Sequence, residues 1–126
     1  MKTLSKENEI NVGIDTSKDK LDIYIRPLGE YFVVENNQQG VKEAIRRIKP
    51  HKPTRVVIEA TGRMELLFAC EAQEAGLPVV IANPLAIHNF ASAIGQFAKT
   101  DKQDAKVIAH YGEVLKPRLT EIKPKI

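Results

Sequence analysis

Hydrophobic and polar positions alternate along the first third of the chain in a way that predicts three strands. Residues 10–17 form a short apolar stretch that ends in polar residues, and Lys20–Arg26 alternates polar with apolar side chains. Only two residues separate these stretches, which indicates a tight hairpin. Gly29 lies in a second turn, and Glu30–Glu35 follows as a β-branched and aromatic run. Three antiparallel strands therefore open the domain.

The middle of the chain predicts helices that alternate with buried strands. Asn36 and Asn37 suit the start of a helix whose apolar residues recur at helical spacing, namely Val41, Ala44, Ile45 and Ile48. Residues 55–60 form an apolar run that predicts a strand parallel to the first, because a helix intervenes. A helix follows the turn at residues 61–62, and its expected inner face comprises Met64, Leu67, Phe68 and residues 70–75, including Cys70. Residues 79–82 predict a fifth strand.

Two further helices are predicted in the last third of the chain. Asn83 and Pro84 suit the start of a helix that runs to residue 95, with Ile87, Phe90 and Ile94 on its apolar side. Thr100 and Gln103 fit a capping box for a last helix that ends before residue 117, and its apolar face comprises Ala105, Ile108 and Ala109. The element order β-β-β-α-β-α-β-α-α predicts an α/β fold of the ribonuclease H-like type. In it, three antiparallel strands are followed by α/β crossovers in a mixed five-stranded sheet with helices on both faces.

Composition excludes several classes of protein. The chain has 126 residues, of which 43% are hydrophobic and 28% charged, as in an ordinary single globular domain. Its single cysteine cannot form an internal disulfide, and no Cys/His cluster has zinc-binding spacing. The polar amino terminus does not resemble a signal peptide, and no apolar run approaches the ~20 residues of a membrane span. These features favour a cytoplasmic protein.

Two carboxylates lie where surface residues are not expected. Asp15 ends one apolar strand and Glu59 ends a more apolar one. Because these strands are expected to be central neighbours, their carboxyl ends can lie side by side. Two like charges within ~4–6 Å of each other require a cation or a raised pKa. Asp101 and Asp104 are three residues apart on one helix and share a face. Together the four acids make the oxygen-ligand set that Mg²⁺ or Mn²⁺ prefers.

Each acid also has a structural alternative. Asp15 can cap amides at a strand end, and Asp101 can complement the dipole of the helix that it begins. Asp104 can form an exposed ion pair with Lys99 or Lys106. Glu59 fits neither a strand nor a turn well, so its structural alternative is the weakest of the four. The assignment therefore depends on the convergence of the set.

Four sequence motifs resemble those of a known family. They are Gly-Ile-Asp-Thr-Ser-Lys at 13–18, Ile-Glu-Ala-Thr-Gly at 58–62, Ala-Gly-Leu-Pro-Val-Val at 75–80 with Asn-Pro at 83–84, and Ala-Lys-Thr-Asp-Lys-Gln-Asp-Ala at 98–105. In this order they resemble the DEDD transposases of the IS-one-ten and Piv/MooV invertase group. The resemblance implies a RuvC-like domain whose four acids, here Asp15, Glu59, Asp101 and Asp104, bind Mg²⁺ near the DNA backbone.

The family also implies parts that this chain does not include. Its members carry a linker and a second domain with a serine thought to link covalently to DNA, and its recombinases use a structured guide RNA. We therefore expect a flexible amino terminus at residues 1–9, the metal-binding domain at 10–116 and a tail toward the linker at 117–126. The isolated chain is then expected not to recombine DNA, and the full-length protein is expected to form a homo-oligomer.

A basic bias near the carboxyl terminus adds candidate nucleic-acid contacts. Residues 1–95 hold 12 basic and 12 acidic residues, whereas residues 96–126 hold 7 and 4. The candidate contacts to DNA are Lys18, Lys99, Lys102, Lys116 and Arg118, although a solvated tail explains the charge equally well. The leading interpretation is a metal-dependent nuclease-like domain, with two ions about 3.5–4 Å apart acting on a phosphodiester. The alternatives are a noncatalytic nucleic-acid-binding or assembly module and an actin- or sugar-kinase-like nucleotide-binding domain, whose phosphate loop needs glycines that the stretch after Asp15 lacks.

Overall fold

A five-stranded mixed sheet forms the centre of the protein. The computed structural model describes residues 9–96 and 100–122. The strands are β1 (Asn11–Thr16), β2 (Lys20–Arg26), β3 (Glu30–Glu35), β4 (Arg55–Glu59) and β5 (Val79–Ala82). Their order across the sheet is β3-β2-β1-β4-β5, in which β1 is antiparallel to β2 and parallel to β4. The three predicted antiparallel strands and the two crossovers are thereby confirmed.

Within the described residues, four α-helices flank this sheet. They are α1 (Gln38–Ile48), α2 (Leu66–Glu74), α3 (Pro84–Ala93) and α4 (Asp101–Leu115), and a short 3₁₀ turn, Lys49–His51, follows α1. Local capping explains three of the starts, because the side chains of Asn37, Asn83 and Thr100 each accept a backbone N–H of the first turn. The capping residues predicted for these helices are confirmed.

The helices cover both faces of the sheet. Buried residues of α1 and α2, such as Val41 and Phe68, pack against the β1 and β4 residues Val12 and Ile58. On the opposite face α3 and α4 pack together, and their apolar residues form a second cluster with Val57. Both faces of the central strands are therefore covered, and only the ends of the strands remain open to a ligand.

Helix α4 lies unusually close to β1. A Cβ atom added at Gly13 would lie 2.3 Å from both the carbonyl oxygen of Ala105 and the backbone nitrogen of Ala109. Glycine is therefore required at this position by the close approach of the helix. The contact brings the first turn of α4 over the carboxyl end of β1.

The segment after α4 returns to the outer edge of the sheet. The backbone N–H of Thr120 donates to the carbonyl oxygen of Val79, and the Thr120 hydroxyl accepts the N–H of Ile81. The side chain of Gln73 exchanges two hydrogen bonds with the backbone of Ile122. The described part of the predicted tail is thus attached along β5, whereas residues 123–126 lie outside the described range.

Three details of the predicted helices are wrong. Helix α2 begins at Leu66, because Gly62 and Arg63 adopt left-handed backbone conformations that continue the turn. Its buried residues include Phe68 and Ala69, and Cys70, about 200° around the helix from Phe68, is exposed rather than packed. Ile94 likewise follows the end of α3 and is 38% exposed. Within the described residues, no helix has the length and apolar character to cross a membrane.

Candidate metal centre

Two adjacent strands carry acidic residues at or next to their carboxyl ends. Ile14 of β1 pairs with Ile58 of β4, so the next residues, Asp15 and Glu59, lie side by side at the carboxyl end of the sheet. Both side chains are partly buried. Parallel strands present such residues at one edge because their carboxyl ends point the same way. The juxtaposition predicted for these two residues is present.

The first turn of α4 brings two further acids to the same edge. Asp15, Asp101 and Asp104 each offer a carboxylate oxygen, and the three oxygens lie within 4.8 Å of one another. Glu59 is not part of this triple. It is nevertheless close enough that its pKa is raised by burial and by the charge of Asp104. The structure therefore groups three of the predicted ligands and places the fourth beside them.

Burial, and after it carboxylate repulsion, raises the pKa of Asp15, Glu59 and Asp104. Partial burial, followed by the charges of Asp104 and Asp101, raises the pKa of Asp15 to about 7 from its ordinary 3.8. The pKa of Asp104 is also raised, by burial and by the charges of Asp101 and Asp22. Such shifts mean that the metal-free protein pays a free-energy penalty to keep these groups ionised. A divalent cation would remove that penalty, and hard oxygen ligands of this kind fit Mg²⁺ or Mn²⁺.

A fifth acid, Asp22, lies next to the cluster. It stands directly opposite Asp15 in the β1–β2 register, and its side chain is only 2% exposed. The Tyr31 hydroxyl donates to Asp22 Oδ2 at 2.5 Å, which raises the pKa of Tyr31 to about 12. Asp22 was not among the residues predicted from the sequence. The signal was present, because a two-residue hairpin that pairs residue 17 with residue 20 also places Asp22 opposite Asp15.

A lysine connects the fifth acid to the cluster. Lys20 Nζ lies 3.1 Å from Asp101 Oδ2 and 4.0 Å from Asp22 Oδ1. Its pKa is raised, first by the hydrogen bond to Asp101 and then by the charge of Asp22. Lys20 was not among the candidates from the sequence, since an alternating strand that begins with lysine is ordinary.

A cleft opens beside the acids between α3 and α4. Glu59 and Asp104 form its acidic end, and His88, Ser92 and Gln96 contribute polar groups along it. The remaining walls are apolar and come from both helices. The acids are therefore accessible from one side to an extended ligand.

The basic residues predicted to contact DNA lie near both ends of α4. Lys18, in the β1–β2 turn, and Lys102, whose ammonium lies 5.4 Å from the Tyr31 ring centroid, are exposed at the acidic end. Lys116 lies at the other end of the 15-residue helix, roughly 20 Å away, and forms an ion pair with Glu9 at 3.1 Å. Arg118 is exposed near Lys116, and Lys99 lies outside the described residues.

Known structures share this architecture. Thermus thermophilus RuvC in complex with a Holliday junction substrate superposes with a TM-score of 0.56 at 17% identity, covering 85% of this chain and 96% of RuvC. A second structure of Thermus thermophilus RuvC gives a TM-score of 0.55 at 18% identity, covering 81% and 91%. These likenesses confirm the predicted ribonuclease H-like, RuvC-like fold.

Sequence comparison identifies closer relatives. The chain is 36% identical over 118 residues to the pilin gene-inverting proteins of Moraxella bovis and Moraxella lacunata, an alignment that covers 89% of this chain. It spans 37% of the length of those relatives. A family model described as a transposase, of the DEDD type, matches residues 12–125. With that match over most of its length, the chain belongs to the DEDD transposase family.

Proposed function

We propose that this chain is the amino-terminal catalytic domain of a site-specific DNA transposase or recombinase. Its four acids Asp15, Glu59, Asp101 and Asp104 would bind divalent metal, Mg²⁺ or Mn²⁺, for strand cleavage and transfer. The observation that carries the proposal is the grouping of the Asp15, Asp101 and Asp104 carboxylates within 4.8 Å of one another, with Glu59 and Asp104 at the end of the adjoining cleft. Family membership supports the same reaction class.

The proposed metal ligands are held by two different parts of the fold. Asp15 and Glu59 are held by the sheet, and Asp101 and Asp104 by the first turn of α4, so the two pairs form a preorganised set of oxygen ligands. Divalent metal in such a site supplies Lewis-acid stabilisation of charge that develops on a phosphodiester. The cleft beside Glu59 and Asp104 would orient the DNA backbone against the ligands.

The partners follow from the family and from the chemistry of the site. DNA is the proposed substrate, a structured RNA from the element is a proposed guide, and the full-length protein is proposed to act as a homo-oligomer in the cytoplasm. The curated relatives are named as gene-inverting proteins, which is consistent with site-specific strand exchange. Because the chain spans 37% of their length, strand exchange is proposed for the whole protein rather than for this domain alone.

The alternatives make different predictions. The family match leaves the actin- or sugar-kinase-like nucleotide-binding domain without support. A noncatalytic nucleic-acid-binding or assembly module would bind DNA equally well with and without divalent metal. Metal-dependent cleavage of DNA by the full-length protein would separate the proposed enzyme from such a module.

Thermal unfolding in EDTA and in Mn²⁺ tests the shared metal site directly. A cation bound only by the folded state stabilises it by about 1.4 kcal/mol at ten times its Kd, so the wild type should gain on adding Mn²⁺. Asp15→Asn should be as stable as the wild type or more stable in EDTA, and it should gain much less from Mn²⁺. Glu59→Gln and Asp104→Asn should behave in the same way.

The control is Glu43→Gln, which removes an exposed carboxylate paired with Arg46 on α1. This variant should respond to Mn²⁺ as the wild type does. If Mn²⁺ stabilised all five proteins equally, or none of them, the four acids would not form a metal site. A loss of stability in Asp15→Asn of the same size in both conditions would instead indicate the amide-capping role.

A further inference from the structure

Among the described residues, Lys20 is the one lysine or arginine that forms an ion pair with a candidate metal ligand. Its ammonium lies between Asp101 and Asp22, at 3.1 Å and 4.0 Å. In the part of the chain that the structure describes, no other lysine or arginine lies within 4.0 Å of either carboxylate. The Lys20 side chain is 46% exposed, so it is free to change position.

Asp22 is arranged to receive this ammonium. Its Oδ2 atom accepts a hydrogen bond from the hydroxyl of Tyr31, whereas its Oδ1 atom is the one closer to the Lys20 ammonium. The carboxylate is 2% exposed, so water cannot replace a lost partner easily. Lys20 therefore has two anionic positions a short movement apart, one on a candidate metal ligand and one on a buried acid next to it.

We propose that Lys20 is a tethered counter-cation of the metal centre, neutralising Asp101 in the metal-free protein and moving onto Asp22 when a divalent cation binds Asp101. The inference rests on the proposed function, because it takes Asp101 as a metal ligand. Lys20 is then a positioning residue: it keeps the first turn of α4 against β2 before metal arrives, and it competes with metal for the same carboxylate.

This role has two opposite consequences. Without the ammonium, the metal-free carboxylates repel one another with less compensation, so stability in EDTA should fall. Without the competitor, a divalent cation should bind more tightly, by about two- to fivefold if the pair resembles other half-exposed ion pairs. If Lys20 merely held the hairpin to α4, its removal would lower both the stability in EDTA and the affinity for the divalent cation.

The experiment compares the 126-residue wild-type chain with Lys20→Gln, Lys20→Met and Lys20→Arg. Melting temperature is measured in EDTA, and the Mn²⁺ dissociation constant is measured by electron paramagnetic resonance titration well below the melting temperature. The two neutral variants should melt about 1–4 °C below the wild type in EDTA and bind Mn²⁺ about two- to fivefold more tightly. Lys20→Arg should restore both values, and Lys42→Gln, on the opposite face of the sheet, should change neither.

The outcomes separate this inference from the proposed function. If the wild type binds Mn²⁺ and both neutral variants bind it equally or more weakly, Lys20 does not compete with metal and the inference alone is overturned. If the wild type binds no Mn²⁺, the metal site fails and the inference fails with it. Lys20→Met keeps the aliphatic stem, so it remains measurable if the polar Lys20→Gln variant folds poorly.

Discussion

The contact between Gly13 and α4 makes Gly13→Ala the most informative single substitution in the fold. The new Cβ atom would lie 2.3 Å from two backbone atoms of α4, where ordinary contacts are 3.4–4 Å. Backbone atoms cannot rotate away as a side chain can, so α4 must withdraw by about 1 Å. Overpacking of this kind costs about 1–3 kcal/mol, and we expect the upper end of that range because the obstacle is backbone.

The substitution should also weaken metal binding. Helix α4 carries Asp101 and Asp104, whereas Asp15 stays on β1, so withdrawal of the helix separates the ligands. Metal sites tolerate displacements of only about 0.5 Å, and we expect Mn²⁺ affinity to fall on the order of tenfold. Urea unfolding in EDTA measures the first effect, and titration of the folded protein with Mn²⁺ measures the second.

Gly112→Ala is the matched control on the same helix. A Cβ atom there would lie 2.9 Å from the Cγ2 methyl of Val57 and 3.2 Å from Asn11 Oδ1, so relieving the contact displaces buried side chains rather than backbone. Replacing a helical glycine by alanine also contributes about 1 kcal/mol of helix propensity. We expect a net change within about 1 kcal/mol and unchanged metal affinity. If Gly13→Ala matched this control in both measurements, the close approach of α4 would not position the acids.

Three further predictions concern pH, salt and capping. Because the pKa of Asp15 is raised to about 7, its ionisation disfavours the metal-free fold as pH rises from 4 to 7. Relative to Asp15→Asn, the wild type should therefore lose about 1–2 kcal/mol of unfolding free energy over that range, after allowance for solvent screening. If urea unfolding gave the same pH dependence of this free energy for both proteins, the prediction would be contradicted. Replacing Lys18 and Lys102 together by glutamine should flatten the logarithmic salt dependence of DNA binding by up to about 1.8, and an unchanged slope would place the DNA elsewhere. Thr100→Ala and Asn37→Ala should each cost ~1 kcal/mol in urea unfolding, but only Thr100→Ala should weaken Mn²⁺ binding, because Thr100 caps the turn that carries Asp101.

Periodicity and turn chemistry were sufficient to predict the order of the elements. Strand β2 alternates cleanly, and Thr100 caps α4 as its position before an acidic first turn indicates. The start of α2 could not be predicted, because it depends on a contact that only the folded turn makes: the N–H of Thr61 donates to the Glu65 side chain at 2.9 Å. That turn delays the start of the helix to Leu66.

The candidate site was predictable in part for the same physical reasons. Asp15 and Glu59 follow from strand ends, which the sequence marks by a change from apolar to polar residues. The hairpin register places Asp22 opposite Asp15, but the burial of Asp22 could not be predicted, because alternation along β2 distinguishes two faces of a strand without showing that helices cover both. The separation of Lys116 from the acids follows from the predicted length of α4, since 15 helical residues span roughly 20 Å.

The attachment of residues 117–122 along β5 also bears on how copies of this domain behave together. An exposed edge strand offers unpaired backbone groups to any similar strand and so invites aggregation. Here Thr120 forms hydrogen bonds with the backbone of Val79 and Ile81. The side chain of Gln73 binds the same segment two residues later, at Ile122. The opposite edge, β3, begins and ends with glutamate, whose charge discourages pairing. Both edges of the sheet are thus protected, so copies of this domain held close together are kept from pairing through their edge strands.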